Sequence, residues 1–191
     1  MVKYSWAKGM PFLPLLGGGG CIPQVWSAPL AEGAGKGEIF TDDAIFRMGK
    51  KRLFQVVALL DSIDEVEDAR MGLAGLDEIS SGEVLAEEAT FIIHDTSLSD
   101  PAARHSIPRD MARNKGIVRI VSAEEAKVCN DSEKVPTWPE PLYYNCYRLQ
   151  EEYAGKRYLI VRPDRFAFAA CAGRDELMEA AGMIGKVLRD E

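Results

Sequence analysis

The chain predicts an α/β fold: a central mixed sheet with flanking helices, closed by a C-terminal hairpin and helix. Three observations carry that prediction. An unbroken apolar run at 53–60 (LFQVVALL) suits a strand buried on both faces. A helix-periodic segment and then a second apolar strand follow it, which is the layout of a parallel crossover unit. Residues 156–191 read as strand, tight turn, strand and amphipathic helix.

Taken in order, residues 1–37 are rich in Gly and Pro, with Gly17 to Gly20 in a row, so they are expected to hold no regular element and to wrap over a core formed by 38–191. Gly35-Lys36-Gly37 has the look of a phosphate loop's end, but no Ser or Thr follows the lysine and no strand precedes it, so it reads as a turn. Residues 38–46 supply a short strand or a helical turn. After the 53–60 run, Ser62 followed by Glu65 predicts a capping box. Ile63, Val66, Ala69, Leu73 and Leu76 fall on one face of the helix, while Asp64, Glu65, Glu67 and Asp68 crowd its positive end.

Strands follow at 89–95 (ATFIIHD) and 117–122 (IVRIVS), the first expected parallel to 53–60. Between 130 and 147 (NDSEKVPTWPEPLYYNCY) the three prolines disfavour helix and interior strand, which predicts an irregular, aromatic-rich loop where specificity would sit. In the closing unit, Pro163-Asp164 is a turn-forming pair between strands at 158–162 and 166–171. The last helix gathers Leu177, Ala180, Ala181, Ile184, Val187 and Leu188 on one face, with Asp175 and Glu176 near its start and Lys186 and Arg189 near its end.

Composition narrows the function classes. At 191 residues and 47% hydrophobic content, the chain can remove about 70% of its unfolded surface from water in one core. A net charge of −7 repels phosphate backbones and anionic lipid heads, so neither nucleic acid nor membrane is an expected partner. Cys21, Cys129, Cys146 and Cys171 are widely spaced with no C-x-x-C, which argues against a zinc ribbon, a dithiol redox centre and a secreted disulfide scaffold, and for a cytoplasmic setting. Pro11 and Pro14 interrupt the apolar start, so it does not read as a signal peptide.

The segment Tyr158-Leu159-Ile160-Val161-Arg162-Pro163-Asp164-Arg165-Phe166 and the helix after it resemble the end of the C-terminal thioredoxin-like domain of FAD-dependent aromatic-ring hydroxylases of the phenol hydroxylase type. Gly20-Cys21-Ile22-Pro23-Gln24-Val25-Trp26 resembles that domain's entry, with Cys21 where the family often has arginine. The resemblance covers the chain from about Gly17 onward. It implies a thioredoxin-like fold, a setting in phenolic or polyketide metabolism, and either a homodimer or a flavin monooxygenase as protein partner. In the family, flavin and substrate sit in two preceding domains. This chain carries no strand-linked G-x-G-x-x-G, so FAD binding by the family's mode is not expected and no cofactor is assigned. The resemblance also implies where a dithiol would stand, just after the first strand of the crossover, and there the chain reads Asp61-Ser62-Ile63-Asp64. The position of the thioredoxin cis-proline falls near Gly155 to Arg157 and is not proline. Both departures point away from disulfide exchange.

With two histidines, His94 and His105, no ligand spacing suggests a metal site. His94-Asp95 falls at the carboxyl end of a central strand, the edge where open α/β sheets take ligands, and an imidazole there can act as general base; the alternative is a histidine that satisfies a strand end. Trp138, Tyr143, Tyr144 and Tyr147 could wall a flat phenolic ligand, or pin the loop to the core. Asp61 and Asp64 read as a carboxylate pair or as helix caps, and Arg162 as an anion contact or as the clamp of the hairpin turn.

Two functions follow. The first is a non-redox, stand-alone binding or dimerisation module related to the hydroxylase domain, supported in part by the apolar face of the closing helix. The second is a cofactor-independent cyclase, isomerase or pericyclase acting on a reactive phenolic or quinone-like intermediate. There His94 and Asp95 would move a proton, Tyr144 would polarise an oxygen, and Trp138, Tyr143, Tyr147 and Arg162 would bind the substrate, a small phenolic or polyketide-derived molecule.

Overall fold

In the computed structural model, which describes residues 12–30, 39–47, 49–100, 116–122, 125 and 144–187, the apolar run becomes the central strand β3 (Gln55–Leu60). The strands preceding it are β1 (Trp26–Pro29) and β2 (Ile39–Phe40), and those following are β4 (Thr90–Ile93), β5 (Ile117–Ile120), β6 (Tyr158–Val161) and β7 (Ala167–Cys171). They form one mixed sheet in the order β2-β1-β5-β4-β3-β6-β7. β3 runs parallel to β4 and antiparallel to β6, β4 runs parallel to β5, and β6 and β7 make the expected antiparallel hairpin. The α/β class and the mixed central sheet read from the sequence are present.

Side chains alternate across β3 and divide the core in two. Val56, Ala58 and Leu60 join Val66 and Ala69 of α2 (Val66–Gly72), Leu76 of α3 (Leu76–Ile79) and Leu177, Ala180, Ala181 and Ile184 of the closing helix, here α5 (Arg174–Val187). Val57 faces the other way, onto Ala44 and Ile45 of α1 (Thr41–Ile45) and Leu149 of α4 (Arg148–Glu152). Helices therefore cover both faces of the sheet. Leu177, Ala180, Ala181 and Ile184 of the apolar face of α5 are buried inside the chain, so these four offer no free surface for dimerisation.

Three local expectations are corrected. Ser62 makes no capping hydrogen bond, because Ile63–Glu65 is a 3₁₀ turn and the Glu65 carboxylate lies 3.5 Å from Arg157 instead of reaching back to the cap. The single helix expected through Leu76 breaks after Gly72 and restarts at α3, with Gly75 at φ +83° between the two pieces, a conformation that favours glycine. The N-terminal segment is not element-free. Trp26–Pro29 is a strand, antiparallel to both β2 and β5, and its proline stands at the strand end, where the missing N–H interrupts nothing further.

The glycine run still does what a strap does. Leu13 and Gly19 donate backbone hydrogen bonds to Phe168 and Ala167 of β7 at 2.7 and 2.9 Å, and Ala167 donates to Gly20 at 2.8 Å. These contacts cover the outer edge of β7, which would otherwise offer unpaired backbone groups to another chain. A Cβ on Gly18 would lie 2.2 Å from the Phe168 carbonyl oxygen, so no larger residue fits there without moving the strap.

Candidate functional site

The site follows from strand direction. β3 and β4 are parallel, so their carboxyl ends, Leu60 with Asp61 and Ile93 with His94, reach the same edge of the sheet. The His94 N–H fixes that register by donating to the Leu60 carbonyl at 2.8 Å. β6 enters from the same edge because it runs antiparallel to β3, and the Leu59 N–H holds Arg157 in place through its carbonyl at 2.9 Å. From the other face, α4 brings Gln150, and Tyr153 follows directly after it. These residues line a cleft of about 260 Å³ whose wall includes Asp61, His94, Gln150, Tyr153, Lys156 and Arg157.

Most charges at the cleft are paired. Gln150 Nε2 donates to Asp61 Oδ1 at 2.8 Å, closing one side. Arg157 is held by Glu65 at 3.5 Å and by Asp68 at 2.8 Å, and Lys156 lies 3.7 Å from Glu176. Two buried donor or acceptor atoms are left without a hydrogen-bond partner: Nε of Arg157 and Nε2 of His94. Burial lowers the His94 pKa below its ordinary value, and the Asp61 carboxylate offsets only part of that, so the imidazole is neutral at pH 7. The ring of Tyr147 stacks on it, centroids 6.3 Å apart. No thiol stands in the lining. Cys171, at the end of β7, is buried, and burial together with Glu176 pushes it up to about 12 against the opposing pull of Lys156.

Of the residues singled out from the sequence, His94 and Asp61 line the cleft, and Tyr147 stacks on His94 without lining it. Asp95 turns back to its own chain, accepting the Ser97 N–H at 2.9 Å. Tyr144 accepts from the Trp26 N–H at 3.1 Å and donates to the Val121 carbonyl at 3.0 Å, tying its segment to β1 and to the end of β5; burial raises its pKa. Arg162 follows the opposite end of β6 from Arg157 and forks onto Asp164 beneath the Phe166 ring, which holds the Pro163-Asp164 turn. Trp138, Tyr143 and His105 lie outside the described residues, as does most of the 130–147 loop. Asp64 is exposed and does not line the cleft. Gln150, Tyr153, Lys156 and Arg157 were not foreseen as site residues. Their only sequence signal is position, next to the ends of elements that share one edge.

No group of three or more His, Cys, Asp or Glu side chains that could hold a metal ion occurs among the described residues. Nor is any helix among them long and apolar enough to cross a membrane. The chain matches no protein-family model, no curated protein and no solved structure.

Proposed function

We propose that the protein is a non-redox binding module of thioredoxin-like build that takes a small phenolic ligand in the cleft at the carboxyl edge of β3 and β4. The observation that carries this reading is the buried Nε2 of His94, a ring nitrogen with no hydrogen-bond partner, in a residue that lines that cleft. A neutral imidazole accepts a phenol O–H, and a buried polar atom left unpaired is unfavourable by about 1–3 kcal/mol until something satisfies it. The volume of about 260 Å³ lies below the ~300–1,000 Å³ of pockets for drug-sized ligands, which suits a single ring.

Topology supports the thioredoxin-like part. The order β7-β6-β3-β4, with a parallel pair joined by a helical crossover and an antiparallel hairpin followed by a helix, is the arrangement the resemblance calls for. Asp61 and Gly155 to Arg157, which stand where that resemblance would locate a dithiol and its neighbouring proline, both line the cleft. The setting, phenolic or polyketide metabolism in the cytoplasm beside a flavin monooxygenase, rests on the resemblance. Homodimerisation loses one of its grounds with the burial of the α5 face.

A second reading, cofactor-independent proton transfer on the bound ligand, is favoured by the lowered pKa of His94, which leaves a neutral base in the cleft. In it His94 keeps its assigned part as the base, while the Tyr144 hydroxyl is engaged by backbone groups. Calorimetric titration with catechol tests the binding function. The expected result is a dissociation constant of about 1 mM or tighter, weakened at least about tenfold in His94→Ala. No binding, or equal binding by the variant, contradicts it.

A further inference from the structure

At the amino ends of β3 and β4, away from the cleft, a second polar group gathers around the segment after α1. Glu88, almost fully buried, accepts the backbone N–H groups of Lys51 at 2.8 Å and Arg52 at 3.3 Å and the Gln55 amide at 3.3 Å, so uncharged donors hold its carboxylate. Lys50 instead sends Nζ to the hydroxyl oxygen of Thr90 at 2.7 Å, and Thr90, wholly buried, passes its own hydrogen to the Ala44 carbonyl at 3.4 Å. The lysine amine thus meets a neutral oxygen. Arg47 is close enough for its like charge to act on Lys50, and its Nη1 is buried with no hydrogen-bond partner.

We propose that Lys50 is a carbamylation site for carbon dioxide, with the guanidinium of Arg47 as the counter-ion of the carbamate. The lone pair of the neutral Nζ attacks the carbon and forms an N–C bond. One C=O electron pair moves onto oxygen, and Nζ loses a proton to solvent, so that R–NH₂ and CO₂ give R–NH–CO₂⁻ and H⁺ with no change in oxidation state. The reaction replaces repulsion between Arg47 and a lysine cation with attraction to an anion, and it gives Nη1 an acceptor. Glu88, whose charge already attracts both Arg47 and Lys50, opposes the new charge, but its carboxylate is held by three N–H donors. The nucleophile is available at neutral pH: burial and Arg47, only partly offset by Glu88, push the Lys50 amine down to about 7. About half of it is then neutral at pH 7, against fewer than roughly one in a thousand for an ordinary lysine.

The full chain is incubated with ¹³C-bicarbonate near neutral pH, trapped with a trialkyloxonium salt, and mapped by peptide mass spectrometry. The expected result is label on Lys50 at least about tenfold above Lys51, Lys156 and Lys186. Label absent from Lys50, or spread evenly over the lysines, overturns it, and that comparison needs only the wild-type protein. Folded Arg47→Gln should lose most of the Lys50 label; full retention overturns the role given to Arg47.

Discussion

The imidazole of His94 and the phenol ring of Tyr147 lie nearly parallel, with centroids 6.3 Å and planes 26° apart. A residue that follows β4 is thereby faced by one that precedes α4. Tyr147→Ala should let water reach the imidazole and move its pKa up toward the ordinary ~6.5. Asp61→Asn should move it further down, because the Asp61 charge is what raises it. An NMR titration of the imidazole C2 proton reads both, and two unchanged curves would contradict the assignment.

The same shift gives stability a direction with pH. The folded pKa of His94 lies below the unfolded one, so between them the unfolded chain binds more protons. The His94 contribution is therefore level above about pH 6.5 and declines as acid is added below it. Glu88 and Asp164 are also depressed. For both, burial acts upward and is outweighed, by N–H donors from Lys51, Gln55 and Arg52 for Glu88 and by Arg162 for Asp164. Their stabilisation is lost only at lower pH, through their folded pKa values below the ordinary carboxylate range near ~4. Urea unfolding from about pH 6.5 to pH 3 should show a steeper first decline, above the carboxylate range, in wild type than in His94→Gln.

Lys50 shapes the alkaline side. Its folded pKa of about 7 lies far below that of an unfolded lysine, so stability falls as pH drops from about 10 to about 7. Lys50→Met removes the titrating group at the loss of one hydrogen bond to Thr90. In CO₂-free buffer it should raise the melting temperature more at pH 7 than at pH 9. A gain independent of pH would show that the amine is not strained by burial.

Gly72 and Tyr158 are matched in size. A Cβ on Gly72 would lie 2.1 Å from the Tyr158 hydroxyl, which donates to the Ala69 carbonyl at 3.3 Å. Gly72→Ala should destabilise by about 1–3 kcal/mol through overpacking. Tyr158→Phe should lose about 1 kcal/mol for the hydrogen bond, yet recover part of the loss in the double variant. Strict additivity in that cycle would mean the contact is not what excludes a side chain at Gly72.

The elements legible in the sequence are those whose identity is local. β3, β4 and β5 are buried on both faces and read as apolar runs, the Pro163-Asp164 pair marks its own turn, and α5 shows its face through Leu177, Ala180, Ala181 and Ile184. β1 was hidden by its surroundings, because a four-residue strand between Gly- and Pro-rich stretches has no periodicity to display and owes its pairing to β5, far along the chain. The break at Gly75 was equally hidden, since Leu73 and Leu76 stay in the core on either side of it. His94 was legible because the end of a central strand predicts the ligand edge. Tyr144 misled because a phenol's partners are set by tertiary structure, here Trp26 and Val121. Gln150 and Arg157 come from elements that only the folded sheet brings beside Asp61.

The most direct measurement is a backbone amide map of the ¹⁵N-labelled protein titrated with catechol. Saturable shifts are expected at Asp61, His94, Gln150 and Gly155 to Arg157, with the amides around Lys50 and the Pro163-Asp164 turn unmoved. Shifts confined to any other surface, or none at millimolar ligand, would contradict the assignment of the cleft.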